Sequence, residues 1–227
     1  VVRLGFRVQR SADAHAGRKL YALYRSVLGN ESRIEVDLNY LWRVPLLDTG
    51  EIELWQPGAL DRPRVRGVSL HELCVGKLLA FLDRSAPRDA YDLALLADRA
   101  AQVLLTPLFR ALFIASSATL PHPLSSYNRT HIEPRLTEDM IRVQLLPMLR
   151  MGTPVCRQEL LQRAWGVAAP FVELQTNEQE YVDGIAQGQI RAELLFSDDS
   201  EMANRIAGHP AFLWKTTNVR RQKQPPV

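Results

Sequence analysis

Several charged residues stand where packing alone would not put them. Projected at about 100° per residue, the run from Ser69 to Arg84 gathers Leu70, Leu73, Cys74, Leu78 and Phe81 on one arc, with Lys77 at its middle and Arg84 on the same arc. A buried ammonium is costly unless an anion meets it. The next run repeats the anomaly with opposite sign: Leu93, Leu96, Ala97 and Ala100 define its apolar arc, Asp89 falls within it, and Asp92 lies at its border. A short connection makes two such helices antiparallel neighbours, so Lys77 comes level with Asp92. Two readings are open. In one, a Lys77–Asp92 or Arg84–Asp89 ion pair fixes helix register. In the other, the lysine is directed at a phosphate group, and nearby carboxylates position it or handle an incoming hydroxyl. Asp37 is a third element. Ile34, Val36, Leu38 and Tyr40 alternate with Glu35, Asp37 and Asn39, so a strand here has one apolar face and one acidic, polar face. A lone strand aspartate is equally an ordinary surface residue.

The elements that would position these residues follow from periodicity. Val2, Leu4, Phe6 and Val8 alternate with Arg3, Gly5, Arg7 and Gln9, as in a half-buried strand. Residues 18–28 and 33–41 flank Gly29-Asn30, a pair suited to positive φ, and can form an antiparallel hairpin. Shorter strands at 51–54 and 64–68 are expected to complete one small sheet of mixed or antiparallel pairing. The period then becomes helical. Ser69 with Glu72 makes a capping box for a helix reaching about Arg84. Pro87 suits the first turn of a second helix ending near Ala100. Further helices are expected near residues 107–116, 137–150, 157–165, 178–187 and 200–207. The fold class is α+β: a small sheet followed by a helical half.

Composition bounds the function. With 227 residues, 46% apolar and 23% charged, the chain can fold as one large domain or two small ones. Its apolar stretches fall short of the roughly 18–20 residues of a membrane span, and no apolar signal segment opens it; a soluble protein is expected. Cys74 and Cys156 have neither metal-ligand spacing nor the pattern of a secreted framework, which points to a reducing cytoplasm. The net charge is only +3, and Lys215, Arg220, Arg221 and Lys223 before Pro225-Pro226 read as a basic tail, a solvated end. His15, His71, His122, His131 and His209 form no pair at ligand spacing, so a histidine metal site is not expected. Ser116-Ser117 and Ser125-Ser126 lack the setting of a nucleophile elbow, which disfavours hydrolase chemistry.

Three segments stand in the order of known motifs: Arg33-Ile-Glu-Val-Asp37-Leu-Asn39-Tyr, then Gly76-Lys77-Leu-Leu-Ala, then Asp83-Arg84 with Pro87-Arg88-Asp89-Ala-Tyr-Asp92-Leu93. Together they resemble the motifs of the AbiEii/AbiGii toxin family of nucleotidyltransferases. His209-Pro210-Ala211-Phe-Leu-Trp214-Lys215, followed by Asn218-Val219-Arg220, is similar to that family's C-terminal signature. The likeness spans nearly the whole chain, with residues 95–178 the least diagnostic, and the motifs are specific only in combination.

The resemblance implies a polymerase-beta-like fold, a partial nucleotidyltransferase core over residues 1–100 and a helical C-terminal domain over 101–227. It implies transfer of a nucleoside monophosphate from a nucleoside triphosphate to an RNA acceptor, commonly tRNA. The setting would be a type IV-like toxin–antitoxin or abortive-infection system, with a cognate antitoxin as partner and Mg²⁺ as cofactor. Asp37 would be a metal-site acid or a base near the acceptor hydroxyl. Lys77 would bind the triphosphate, Arg84 or Arg88 would add charge, and Asp89 with Asp92 would orient Lys77 or the acceptor. The family's Gly-Ser turn and Asp-x-Asp pair, whose acids hold Mg²⁺, do not occur before Asp37. Asp13, after Arg10-Ser11-Ala12, has no acidic partner two residues away. Because the first residue is valine and a strand-like run opens the chain, translation is expected to begin upstream, leaving this chain impaired. The alternative is a catalytically inactive module that binds RNA or antitoxin.

Overall fold

The computed structural model describes residues 4–12 and 17–223, so Asp13, His15 and Pro225-Pro226 lie outside the described residues. Contacts divide the chain into two compact units, Val1–Val44 and Pro45–Val227. The functional division near residue 100 is a different kind of boundary and stays a proposal.

In the first unit, β1 (Arg7–Arg10), β2 (Gly17–Arg25) and β3 (Glu31–Asn39) form an antiparallel sheet in that order. Gly29, at φ 82°, turns the β2–β3 hairpin, as its type allows. Val2 and Arg3 of the expected first strand lie outside the described residues, and among the described ones Leu4 to Phe6 are not part of a strand. Gly5, at φ 80°, leaves extended geometry, and pairing begins at Arg7 opposite Leu23. Along β3 the register sets Asp37 opposite Lys19 and Glu35 opposite Tyr21. The polar face of the strand therefore meets a lysine from its neighbour.

The second unit opens with β4 (Gly50–Glu53) and β5 (Arg64–Gly67), which pair only with each other among the described residues. The expected single sheet is thus two sheets. Asn39 ends β3 by accepting from the backbone of Leu41 at 2.9 Å and Trp42 at 3.1 Å. Downstream, the Glu72 carboxylate takes the backbone N–H groups of Leu46 at 2.7 Å and Leu47 at 3.2 Å. Both ends of the link are held in turns, so the ladder does not continue into β4.

The helices follow: α1 (Leu70–Arg84), α2 (Pro87–Arg99), α3 (Ala101–Leu104), α4 (Pro107–Ser117), α5 (Arg129–Ile132), α6 (Glu138–Met140), α7 (Arg157–Val172), α8 (Thr176–Ala186), α9 (Ser200–Gly208) and α10 (Pro210–Lys223). Phe81 and Leu82 of α1, Leu93 of α2, Phe109, Phe113 and Ile114 of α4 and Phe212 of α10 are fully buried and form the core of this unit. Phe171 of α7 meets Phe109 and Phe113 edge-on, with ring centroids 5.1 and 5.5 Å apart.

Two helical expectations change. The span 137–150 is not one α-helix: α6 passes into a π-helical turn, Ile141–Leu145, and a 3-10 turn, Leu146–Met148. Pro147, with no N–H to donate, interrupts the ladder there. The basic segment near the C-terminus is helical rather than an irregular tail, with Arg220, Arg221 and Lys223 exposed as expected. It lies largely within α10, where Phe212 and Thr216 are buried. Lys215 Nζ donates to Leu120 O at 2.8 Å, and Arg220 Nε donates to Gly188 O at 2.8 Å. These cations satisfy carbonyls of neighbouring turns, a use that charge spacing alone does not reveal.

Candidate functional site

The site residues of the second unit lie on the α1–α2 hairpin. Ser69 Oγ caps α1 by accepting from Glu72 N at 3.2 Å. The Glu72 carboxylate binds the 46–47 backbone, so the reciprocal half of the expected capping box goes to that loop. Ser85 makes the corner at φ 53°, and its N–H closes α1 on Phe81 O. Positive φ is uncommon for a residue with a side chain, so this corner is held by its surroundings; Ser85 is fully buried. Pro87, with its preset φ, starts α2.

Lys77 Nζ donates to Asp92 Oδ2 at 2.6 Å. Arg84 grips Asp89 through two bonds, Nη2 to Oδ1 at 2.7 Å and Nε to Oδ2 at 3.2 Å. As numbers rise along α1 they fall along α2, so the helices are antiparallel and both pairings that the spacing allowed are made. Their settings differ. The Lys77 and Asp92 side chains are 40% and 37% exposed, whereas the Asp89 side chain is only 4% exposed beneath a half-exposed Arg84. Asp89 is therefore an anchor for the guanidinium, and Lys77 with Asp92 faces solvent. Arg88 is exposed in the first turn of α2.

The expected burial of Lys77 in an apolar arc needs correction. Cys74, Val75, Leu78, Phe81 and Leu82 are buried, but Leu70 and Leu73 are 45% and 46% exposed. The apolar arc of α1 is wider than its buried face, and Lys77 sits where the two part. Burial does raise the pKa of the Cys74 thiol above its usual range, leaving it a protonated core residue.

Asp37 belongs to the other unit. Its Oδ1 lies 3.3 Å from Lys19 Nζ, which also bonds Glu35. Those hydrogen bonds, to Glu35 first and Asp37 second, hold the Lys19 ammonium above its ordinary pKa. No group of three His, Cys, Asp or Glu residues that could hold a metal ion occurs among the described residues. With the Asp37 carboxylate also engaged by Lys19, the described residues do not fit a Mg²⁺ site.

Sequence reasoning missed the ion pair between Arg110 and Glu178. Arg110 of α4 bonds both Glu178 oxygens, at 2.6 and 2.7 Å, together with Pro170 O at 2.8 Å and Glu173 O at 2.7 Å. Glu178 also accepts from Gln175 N at 2.7 Å, completing the cap of α8. The one available signal was the Gln175–Glu178 spacing of a capping box. The cluster pins α4, α7 and α8 together.

Residues 3–165 match the model of a family described as nucleotidyl transferase AbiEii toxin, type IV TA system. Among solved structures the chain is similar to MenT4, a nucleotidyltransferase toxin from Mycobacterium tuberculosis H37Rv, at 21% identity and a TM-score of 0.57. The match covers 89% of this chain and 66% of that one, so the chain spans just under two thirds of that structure's length. At this identity the likeness concerns the fold. No curated protein matches the chain. No helix among the described residues is long and apolar enough to cross a membrane.

Proposed function

The chain belongs to the AbiEii nucleotidyl transferase toxin family of type IV toxin–antitoxin systems, and from that premise we propose that it moves a nucleoside monophosphate from a nucleoside triphosphate to an RNA acceptor such as tRNA. The observation that carries this reading is the half-exposed Lys77–Asp92 pair, 2.6 Å across and 40% and 37% exposed. An ion pair that only fixes register gains little from such exposure. A lysine that must receive a polyanion needs it.

In the proposed reaction an acceptor hydroxyl oxygen attacks the α-phosphorus. The new P–O bond forms as the bond to the β-phosphate oxygen breaks, and pyrophosphate leaves with that electron pair. The hydroxyl proton passes to a carboxylate. Lys77 offsets the charge that develops on the phosphate oxygens, which fixed cations do best in a pre-positioned site. Asp92 keeps the ammonium aimed until phosphate arrives. Arg84, held by Asp89, and exposed Arg88 add positive charge at the far end of the hairpin. Family membership brings the expectation of a divalent metal and of a cognate antitoxin; because Lys19 engages the Asp37 carboxylate, the role proposed for Asp37 is that of a base near the acceptor hydroxyl.

A second reading, a module that binds RNA or antitoxin without transfer, is favoured by one observation: Lys19 engages the Asp37 carboxylate. Incubating the protein with Mg²⁺, a tRNA pool and each α-labelled nucleoside triphosphate separates the two. The transferase reading expects label on RNA and its loss in Lys77→Ala. RNA retained without label would support the binding module and contradict transfer.

A further inference from the structure

Helix α10 carries Lys215, Arg220, Arg221 and Lys223 and no acidic residue. Among the described residues none of these four forms an ion pair, whereas Lys77, Arg84, Arg110, Arg157 and Arg205 each meet a carboxylate. Lys215 is engaged by the Leu120 carbonyl. Arg220 is held differently. Its Nε donates to Gly188 O at 2.8 Å, and its stem lies over Gly188, where a Cβ would stand 2.6 Å from Arg220 Cγ. Gly188 also has φ 81°, so both the turn and the close approach require glycine. The guanidinium is thus fixed through Nε, on an exposed side chain, and its two terminal nitrogens bond no other group among the described residues. Arg221 and Lys223, exposed in the same last turn, flank it at about 100° to one side and about 60° to the other. Cations suit the negative end of any helix, but that preference does not require a guanidinium clamped from a second element.

A fixed guanidinium with both terminal nitrogens outward is a fork for two oxygens of one phosphate, and cations on either side of it suit the neighbouring phosphates of a chain. Resting on the reading of RNA as the acceptor, we propose that the last turn of α10 docks the phosphodiester backbone of that RNA, with Arg220 as the bidentate contact and Arg221 and Lys223 beside it. The surface is on a different helix from Lys77, so it holds the body of the acceptor and not the triphosphate. Charge selects the class of partner, since no acid on α10 opposes a polyanion. An anionic membrane surface is the other polyanion open to a basic helix, and it needs a broad apolar face to receive it. Helix α10 instead turns Phe212 into the core, and its exposed arc mixes Leu213 with Thr217, Arg220 and Arg221. RNA fits that arc. Contacts of this kind set the position of a nucleic acid without reading its sequence.

Fluorescence anisotropy of a labelled tRNA pool, titrated with the full chain at several salt concentrations, measures both affinity and the number of phosphates neutralised. Parent, Arg221→Ala/Lys223→Ala, Arg220→Lys and a control, Arg99→Ala/Arg150→Ala, are compared, with thermal melting of each. Arg99 and Arg150 are exposed arginines outside α10, so the control removes the same charge. The α10 double variant is expected to weaken RNA binding severalfold and to lower the magnitude of the salt slope by about 1.4–1.8, the contribution of two phosphates. Arg220→Lys keeps the charge and loses the fork, so affinity should fall with the slope retained. The control should match the parent in both. Parent-like affinity and slope in the double variant overturn the docking turn, as does an equal loss in the control, which would show a response to net charge alone. Vesicles of equal parts phosphatidylcholine and phosphatidylserine form a second arm: binding to them that the double variant abolishes, with RNA binding intact, would assign the turn to a membrane surface and overturn the proposal. Label transfer checks the underlying reading separately. If the α10 variants lose RNA affinity in a protein that transfers no label, the docking turn stands and the transferase reading fails.

Discussion

Lys77 and Asp89 show how exposure decides what an ion pair does. With side chains 40% and 37% exposed, Lys77 and Asp92 form a pair worth about 0–1 kcal/mol to folding. Lys77→Ala and Asp92→Ala are accordingly expected to lower unfolding free energy by no more than about 1 kcal/mol in urea titrations. Asp89 is different, because its carboxylate is nearly buried and doubly bonded to Arg84. Asp89→Asn should cost about 1.5–3 kcal/mol, the range for hydrogen bonds to charged groups; a variant as stable as the parent would remove the anchoring role. Both pairings were legible in the sequence, since a charge on an apolar arc requires a partner and the short turn limits the choices. The exposure of Leu70 and Leu73 was not legible. Periodicity tells which residues share a side of a helix, and Leu70 and Leu73 share theirs with Lys77, but it does not tell what covers that side.

At the scale of elements, local signals held where capping chemistry was explicit and failed where satisfaction came from a distance. Ser69 and Pro87 marked the starts of α1 and α2. Helix α10 was hidden because Lys215 and Arg220 look like a solvated run until the carbonyls of Leu120 and Gly188 are seen to receive them. Lys215 bears the mark of that burial, its pKa lowered by desolvation. Arg110 and Glu178, 68 residues apart, are the sharper case. Arg110→Met would leave a buried carboxylate unpaired and the carbonyls of residues 170 and 173 without their donor, at an expected cost of about 3–5 kcal/mol; a chemical denaturation midpoint unchanged from the parent would contradict it. Tyr181, fully buried on α8, has its phenol pushed above the ordinary 10.0 by desolvation. Below that pH both folded and unfolded chains carry the proton, so the stability is intact. Above it the unfolded chain releases the proton first, and stability falls as pH rises. Comparing denaturation at pH about 9 and about 11, Tyr181→Phe should lose less stability than the parent; an equal loss would show that other groups govern the alkaline limb.

Across the whole molecule, the order of motifs carried the family and the α+β class, while the sheet was read as one and is two. The separation arises in the link between β3 and β4, where Asn39 and Glu72 hold backbone N–H groups that a continuing strand would have used. Asp37 stands in one unit and Lys77 in the other, and the proposal that both serve one reaction rests on family membership and the chemistry of each residue. Its central claim is that Lys77 receives the triphosphate. Titrating ATP into parent and Lys77→Ala proteins, with urea unfolding measured on the same preparations, tests this most directly. Lys77→Ala is expected to stay within about 1 kcal/mol of parent stability while its ATP affinity falls by about tenfold or more, a loss of about 1.4 kcal/mol or greater. A folded Lys77→Ala protein that binds ATP as tightly as the parent would contradict it.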